Sequence, residues 1–333
     1  MHEIAFPLLV GLIALALAFD FLNGLHDAAN SIATVVSTRL LSPVQAVLFA
    51  AVGNFVAYWM VGLHVAETVG KGIIDPLMID DAVIFGALAG AIAWNAITWW
   101  AGIPSSSSHA LIGGIVGAGV AKAGFSAIVW QGLSKTLYAI VLSPFTGFVL
   151  ALLMVLLVSW LFVRSSPSFA DALFRKLQLV SAALYSLGHG SNDAQKTAGI
   201  ISVLLFSHGM YKEFTVPGWV ILSCYVVMGM GTLMGGWRIV HTMGSKITRL
   251  TPMQGACAET AGAITLFSAT YLGVPVSTTH TITGAIVGVG AARRASAVRW
   301  NVATNIVYAW VITIPAAALM SAAFYWVAHK FLA

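Results

Sequence analysis

Two stretches of the chain place acidic side chains inside apolar segments. "NGLHDAANSIA" at residues 23–33 aligns with "HGSNDAQKTAG" at residues 189–199, and the alignment pairs Asp27 with Asp193. A charged group at bilayer depth costs at least about 2.5 kcal/mol, so such residues usually serve an ion or a polar substrate. Lys196 could neutralise Asp193 within one helix, but no lysine follows Asp27 in the same way. The repeated acid therefore predicts a paired site between two related halves of the chain.

A second pair of stretches supplies hydroxyl groups. "GIPSSSSHALIGGIVGAG" at residues 102–119 aligns with "GVPVSTTHTITGAIVGVG" at residues 273–290, which pairs His109 with His280. Proline followed by Ser or Thr is a favourable helix start, and the free N–H groups of a first turn bind oxyanions such as phosphate. Helix capping alone would explain either stretch, but not its recurrence beside two acids. Because hydroxyl and carboxylate oxygens also bind hard cations, and acids and histidines carry protons, an anion and a coupling ion can share this centre.

Composition shows which elements must carry these residues. The chain is 59% hydrophobic and 8% charged, whereas soluble domains carry about 25% charged residues. The first apolar run lacks a basic leader and a cleavage site, so it is predicted to be a helix rather than a signal peptide. The predicted fold is an all-α polytopic membrane protein that contacts lipid and, despite its net charge of +5, no nucleic acid. Apolar runs long enough to cross a bilayer lie at residues 5–19, 42–66, 82–101, 137–163, 216–236 and 302–328.

The repeats divide the chain into two membrane halves, residues 1–163 and 179–333, joined by a short cytoplasmic connector at 164–178. Each half has about five apolar segments, and an odd number makes the second half enter the membrane from the opposite side. Charge supports this inversion, because the loop at 67–81 has one basic residue and its mate at 237–251 has three. Glycines beside the acids, and short segments after the prolines, predict broken helices or re-entrant hairpins at the centre.

These residues resemble the inorganic phosphate transporter (PiT) family. The four stretches are similar to the two pairs of signature motifs of that family, "VGKGIID" at residues 69–75 fits as well, and the resemblance covers essentially the whole chain. It implies a secondary transporter with inverted repeats, often a homodimer, that imports inorganic phosphate by symport with H⁺ or Na⁺. For some bacterial members it also implies transport of a neutral complex of phosphate with a divalent metal. The implied location is the bacterial inner (plasma) membrane.

The resemblance also assigns roles to individual positions. Many eukaryotic members have a glutamate where this chain has Asn54, which together with the nearby histidines favours H⁺ without excluding Na⁺. No catalytic residue, cofactor or resident metal site is predicted. The predicted coupling-ion residues are Asp27, Asp193, Glu259, Asn54, His109 and His280. The predicted substrate-binding residues are Asn23, Asp27, Asn30, Ser105, Ser106, Ser107, Ser108, Asn192, Asp193, Lys196, Ser277, Thr278 and Thr279, with Lys196 acting as a point charge near the anion.

Two other functions compete with phosphate symport. The first is a sulfate permease of the same family; phosphate keeps a proton that it can donate to a carboxylate and sulfate does not, so the acids favour phosphate. The second is an intramembrane hydrolase that uses a serine of "SSSSH" with His109 and Asp27. The sequence has no "GxSxG" elbow, and a triad is defined by geometry rather than adjacency. We therefore predict a transporter rather than an enzyme, in which one bundle of each repeat moves against the rest and exposes the site alternately.

Overall fold

Helices account for almost all of the regular structure. The computed structural model describes residues 6–60, 62–75 and 78–332, and in these ranges the only β pairing is a single bridge between Ile74 and Ile128. The predicted all-α fold is therefore confirmed. The α-helices of the described residues are α1 Phe6–Ser37, α2 Pro43–Val56, α3 His64–Gly72, α4 Asp81–Ala101, α5 Ser107–Ala123, α6 Trp130–Leu161, α7 Pro167–Ser207, α8 Gly218–Met234, α9 Trp237–His241, α10 Pro252–Tyr271, α11 Thr278–Arg293 and α12 Trp300–Leu332.

The helices fall into two sets of six in the same order, α1 to α6 and α7 to α12. The acidic stretches lie in α1 and α7, and the Ser/Thr stretches lead into α5 and α11. The additional helix of each set is a short one, α3 or α9, which follows its predecessor after a sharp bend. The bend is 84° between α2 and α3 and 64° between α8 and α9, where a π-helical turn, Thr242–Lys246, extends α9. Counting each bent pair as one segment gives the predicted five per half.

Among the described residues, five helices are long and apolar enough to cross a membrane: α1, α4, α5 with its following turn, α6 and α12. Each bent pair adds one more span if it crosses as a unit, which gives seven. Their repeat mates α7, α10 and α11 occupy the corresponding positions but contain more polar residues. Because α7 carries Asp193 and Lys196 in its middle, its low hydropathy reflects the site it holds.

Turn and capping residues fix where the central helices begin. Gly102 and Gly273 have φ angles of +67° and +64°, a region that favours glycine because it has no Cβ. These glycines end the stretches that come from α4 and α10, and five residues later α5 and α11 begin. Ser106 and Ser277 are the N-caps, and each hydroxyl accepts a hydrogen bond from the backbone N–H of the histidine three residues on, at 3.3 and 3.1 Å.

The last helix of each half packs against the other half. α6 lies against α10 and α11, and α12 lies against α4 and α5. Glycines make these crossings close: a Cβ on Gly117 of α5 would overlap the carbonyl oxygen of Ala318 in α12, and one on Gly288 of α11 would overlap that of Phe148 in α6. Small residues four apart therefore serve helix packing, as is usual in membranes. The two halves are interlocked rather than side by side.

The predicted connector at 164–178 is mostly helical. The chain turns at residues 164–166, Ser166 caps the next helix, and α7 runs without a break from Pro167 to Ser207. Proline at the first helical position is favourable because its missing N–H would have no partner there. The break between the halves is thus only a few residues long, and the first three turns of α7 occupy the rest of the connector.

Candidate ion and substrate site

The two acidic motifs lie together at the centre of the molecule. Asp27 of α1 and Asp193 of α7 are 1% and 0% exposed. One ligand atom from each acid and one from His189 all lie within 4.8 Å of one another. Two carboxylates and an imidazole are suitable ligands for a cation. The sequence predicted no metal site, yet this cluster has a geometry that can hold an ion.

Each acid accepts a hydrogen bond from a hydroxyl of its own half. The Ser107 hydroxyl donates to Asp27 Oδ2 over 2.6 Å, and the Thr278 hydroxyl donates to Asp193 Oδ2 over 3.0 Å. Ser107 and Thr278 occupy the same position in the two repeats, so these contacts are related by the internal duplication. The Ser107 oxygen also lies 2.5 Å from Oδ1 of Asn23. The structure thus brings predicted substrate residues from both motif pairs into contact.

A second pair of contacts crosses between the halves. Three residues after each acid, Lys196 donates to the Ser108 hydroxyl over 2.6 Å, and the Asn30 side-chain amide donates to the Thr279 hydroxyl over 3.0 Å. The Asn30 amide nitrogen also lies 3.2 Å from the Thr278 hydroxyl. Because the first turns of α5 and α11 are each held by a residue of the opposite half, the four stretches form one site.

The side chain of Lys196 is buried, and the described hydrogen-bond partners of its ammonium are all oxygen atoms. Its ammonium lies 2.5 Å from Asp193 Oδ1, 2.6 Å from the Ser108 hydroxyl and 2.7 Å from the main-chain carbonyl of Val276. The side chain is 3% exposed. A lysine in such surroundings has all three of its N–H donors used.

The histidines that follow the Ser/Thr stretches contact each other and do not contact the acids. The rings of His109 and His280 are 4.1 Å apart between centroids, and His280 stacks on Trp310 at 3.8 Å. Within the described residues, both ring nitrogens of His109 and Nε2 of His280 have no hydrogen-bond partner. The predicted coupling-ion histidines therefore mark the point where α5 and α11 meet, and they do not bond to Asp27 or Asp193.

Two other histidines are the immediate neighbours of the acids. His26 Nδ1 lies 2.8 Å from Asp27 Oδ1, and His189 Nε2 lies 3.2 Å from Asp193 Oδ2. Neither is among the residues that the sequence predicted for the site. A signal was present for both: His26 precedes Asp27 directly, and His189 lies one helical turn before Asp193, where side chains at i and i+4 meet.

Three predicted amides and hydroxyls hold the site's framework. The Asn192 side chain donates to the Thr270 hydroxyl over 3.0 Å and accepts from the backbone of Val276, which fixes the turn before α11. Ser105 donates to the Thr98 hydroxyl over 2.9 Å at the end of α4. Asn54 lies farther out. Its side chain donates to Thr232 and lies 3.1 Å from His189 Nδ1, so Asn54 reaches Asp193 only through that histidine.

Glu259 lies in a separate buried cluster. Its carboxylate accepts from the Ser181 hydroxyl over 2.5 Å and from the Gln178 amide over 3.1 Å, and Gln178 accepts in turn from Thr38. This cluster ties α10 to the first half of α7. Glu259 has no hydrogen bond to Asp27 or Asp193 among the described contacts. Any ion bound at Glu259 would therefore occupy a different position from one bound at the central acids.

A basic cavity lies beside one of the turns that lead into the site. It has a volume of about 390 Å³ and is next to Gly102, whose carbonyl accepts a hydrogen bond from the Thr242 hydroxyl over 3.1 Å. Arg238 reaches across it to donate to the main-chain carbonyl of Trp100. The lining residues are Ala101, Gly102, Trp237, Arg238, His241, Thr242 and Lys246. Positive charge there would attract an anion to the face on which this loop lies.

Known proteins with similar sequences form a consistent group. A family model described as "Phosphate transporter family" matches residues 23–173 and 165–321, and the two matches overlap inside the predicted connector. The chain is 72% identical over 326 residues to a protein of Rhizobium meliloti (strain 1021) described as "Probable low-affinity inorganic phosphate transporter", with 98% of each chain covered. A protein of Bacillus subtilis (strain 168) with the same description is 45% identical over 328 residues, also with 98% of each covered.

A solved structure has the same fold over the full length. It is called "The sodium-dependent phosphate transporter", and it superposes on this chain with a TM-score of 0.90 at 26% sequence identity. The superposition covers 98% of this chain and 100% of that chain. The arrangement of two interlocked sets of helices is therefore shared with a protein of related sequence.

Proposed function

This chain belongs to the phosphate transporter family, and from that premise we propose that it imports inorganic phosphate by symport with a cation, H⁺ or Na⁺. Its relatives are transporters and not enzymes, which removes the intramembrane hydrolase as an alternative. The observation that carries the proposal is the meeting of two acids, two helix starts and their hydroxyls in one buried site. The helix starts and hydroxyls can bind an anion, and the acids can bind a cation beside it.

The anion is held at the first turns of α5 and α11. Free backbone N–H groups and hydroxyls converge there from both halves, and they include the predicted residues Ser105 to Ser108 and Ser277 to Thr279. In the structure the hydroxyls of Ser107 and Thr278 donate to the acids. Phosphate takes over these donors and, when it keeps a proton, returns a hydrogen bond to a carboxylate. Sulfate cannot return that bond at neutral pH, which favours phosphate as the substrate.

The cation binds at the central acids. Asp27 provides a ligand, with His189 and Asp193 close beside it, and the charge of the cation offsets that of the incoming anion. The histidine makes this cluster suited to a divalent metal as well as to Na⁺ or H⁺, so transport of a metal–phosphate complex uses the same residues. Glu259 offers a second cation position outside this cluster.

Transport proceeds by alternating access. The inverted repeats give two related arrangements of the helix bundles, and movement of one bundle against the rest exposes the same central site to each side in turn. The packing of α6 and α12 on the opposite halves couples the two bundles.

We place the protein in the bacterial inner membrane as a homodimer. The apolar outer face of α6 supports this, because Val141 and Phe145 are well exposed there and suit lipid or a second copy.

The experiment that tests the proposal is uptake of radiolabelled phosphate into proteoliposomes that contain the purified protein. Inward Na⁺ and H⁺ gradients are imposed separately, with and without Mg²⁺, and sulfate is offered as a competitor. We expect phosphate to accumulate under one of the gradients and excess sulfate to compete weakly. The proposal is wrong if neither gradient drives phosphate accumulation, or if labelled sulfate accumulates in its place. Liposomes without protein provide the background.

A further inference from the structure

The two acidic motifs differ in fixed charge at one central position. Their alignment pairs Asp27 with Asp193 and Ser31 with Thr197, and these positions keep their chemistry. Three residues after each acid, however, the first half has Asn30 and the second half has Lys196. The second half therefore carries a fixed positive charge where the first half has a neutral amide.

The surroundings of the Lys196 ammonium resemble those of a bound cation. A carboxylate, a hydroxyl and a main-chain carbonyl lie within 2.5 to 2.7 Å of Nζ, and no nitrogen atom is among its described partners. Proteins offer the same set of oxygen types to hard metal ions. Because Lys196 is 3% exposed, its charge is held in place by these atoms and not by water.

The equivalent position in the first half is equipped for a mobile ion. Asn30 donates through its amide nitrogen to Thr279, but its side-chain oxygen is buried and has no partner within the described residues. Asn30 is 1% exposed, so water does not solvate that oxygen. The Thr279 hydroxyl lies 3.4 Å from Asp27 Oδ1. A carboxylate, a hydroxyl and an unpaired amide oxygen thus lie together in the first half, where the Asn30 amide makes the contact equivalent to that of the Lys196 ammonium.

We infer that Lys196 is a tethered cation that replaces a mobile coupling ion in the second half, so that the mobile cation binds only in the first half, beside Asp27 and Asn30. This inference rests on the proposed cation–phosphate symport. It makes the ion stoichiometry a property of one residue: each phosphate is accompanied by one mobile cation fewer than if both halves carried an amide at this position. Asp193 then stays paired with Lys196 throughout the transport cycle, while Asp27 binds and releases the mobile cation.

The test uses Lys196→Asn, which gives the second half the residue of the first. Phosphate uptake into proteoliposomes is measured against Na⁺ concentration at constant ionic strength and, separately, against pH, with the voltage clamped at zero. We expect Lys196→Asn to require one more cation per phosphate, with the Hill coefficient for that cation rising by about one. For a tenfold inward cation gradient, the limiting phosphate accumulation then rises roughly tenfold. Lys196→Arg keeps the fixed charge and should leave the stoichiometry unchanged.

A binding measurement keeps the inference testable if Lys196→Asn does not transport. Equilibrium ²²Na⁺ binding, and the protons taken up when phosphate is added, are compared between the purified wild type and the folded variant. More bound cation in Lys196→Asn supports the inference. The reciprocal variant Asn30→Lys should bind fewer mobile cations than the wild type.

Two results would overturn the inference. The first is an unchanged cation stoichiometry in Lys196→Asn together with a weakened affinity for phosphate, which would make Lys196 an anion ligand. The second is equal cation binding by wild type, Lys196→Asn and Asn30→Lys. A wild type that accumulates no phosphate under any gradient would instead contradict the proposed symport, and the cation-binding comparison would still decide the role of Lys196.

Discussion

The groups that surround the central acid differ between the first half and the second half of the molecule. The described hydrogen-bond partners of Asp27 are the hydroxyls of Ser107 and Thr279 and the imidazole of His26. Asp193 is in contact with the ammonium of Lys196 as well as with a hydroxyl and His189. The hydrogen bonds to the helix starts are equivalent in the two halves, so the duplication kept the geometry while the charges diverged. The comparison teaches that a shared scaffold fixes where the groups lie, and that one side chain, Asn30 or Lys196, sets the difference in fixed charge between the halves.

The largest effects are expected from removing either acid. Asp27→Asn and Asp193→Asn should both reduce phosphate uptake to background, because the first removes the acid that binds the mobile cation and the second removes the acid that pairs with Lys196. Their stabilities should differ. Asp193→Asn leaves Lys196 buried without its counter-charge, a change that typically destabilises by about 3–5 kcal/mol. Asp27→Asn leaves no such charge behind.

Uptake and thermal unfolding in detergent check this pair. Asp171→Asn, at an exposed position of α7, is the control and should leave both properties unchanged. Equal melting temperatures for the two central variants would contradict the asymmetry between the halves. Normal uptake by both would remove the site itself.

The second prediction concerns the crossings that the halves share. Gly117→Val and Gly288→Val should each lower the free energy of unfolding by about 1–3 kcal/mol or more, because the added atoms meet backbone of α12 or α6. Since the crossings are repeat mates, we expect similar losses. Gly11→Ala is the control: nothing lies within 4 Å of a Cβ there. It should stabilise the helix by about 0.5–1 kcal/mol. A marked difference between the two valine variants would show that the interlocking is not equivalent.

Much of the fold could be predicted from the sequence because its causes are local. Apolar runs give the spanning helices, proline and serine give the starts of α5 and α11, and the internal alignment gives the two sets. The swapped packing of α6 and α12 could not be predicted, because it depends on which helix surfaces meet across the whole chain. The glycines at Gly113, Gly117, Gly284 and Gly288 indicated close packing but did not identify the partners.

The candidate site was predictable to a similar extent. Acids and hydroxyls that recur in both halves were expected to meet, and they do so at Asp27, Ser107, Asp193 and Thr278. His26 and His189 were not among the predicted site residues, although His189 lies one helical turn before Asp193. The ring direction of His26, directly before Asp27, depends on packing that the sequence does not show. Glu259 was grouped with the central acids by resemblance, but α10 places it against Gln178 and Ser181 instead.

The third prediction separates the two hydroxyl contacts. Ser107→Ala and Thr278→Val each remove a hydroxyl donor that the bound phosphate takes over from an acid. A hydrogen bond to a charged group is worth about 1.5–3 kcal/mol, so each change should weaken the affinity for phosphate roughly 10- to 150-fold. The Ser107 contact is shorter, at 2.6 Å against 3.0 Å, so we expect the larger loss in Ser107→Ala. Concentration-dependent uptake gives both apparent KM values. Ser126→Ala, at an exposed position, is the matched control. An unchanged KM in both variants would show that these hydroxyls do not hold phosphate.

The smallest effect on phosphate binding is expected at Glu259. Because its cluster is separate from the central acids, Glu259→Gln should leave the KM for phosphate within about twofold, a change of less than 0.5 kcal/mol by the usual conversion. Its effect should fall on the cation dependence, since the amide removes one negative charge from a buried position. Uptake measured against cation concentration at saturating phosphate checks this. A large rise in the KM for phosphate with unchanged cation dependence would assign Glu259 to the anion site.

The central claim is that both halves build one shared phosphate site. Equilibrium binding of radiolabelled phosphate to the purified wild type, Asp27→Asn and Asp193→Asn tests it most directly, with the coupling cation present at saturation. The account predicts about one phosphate per chain in the wild type and none in either variant, because each acid serves the same bound anion. Two phosphates per chain in the wild type, with each variant losing only one of them, would contradict it.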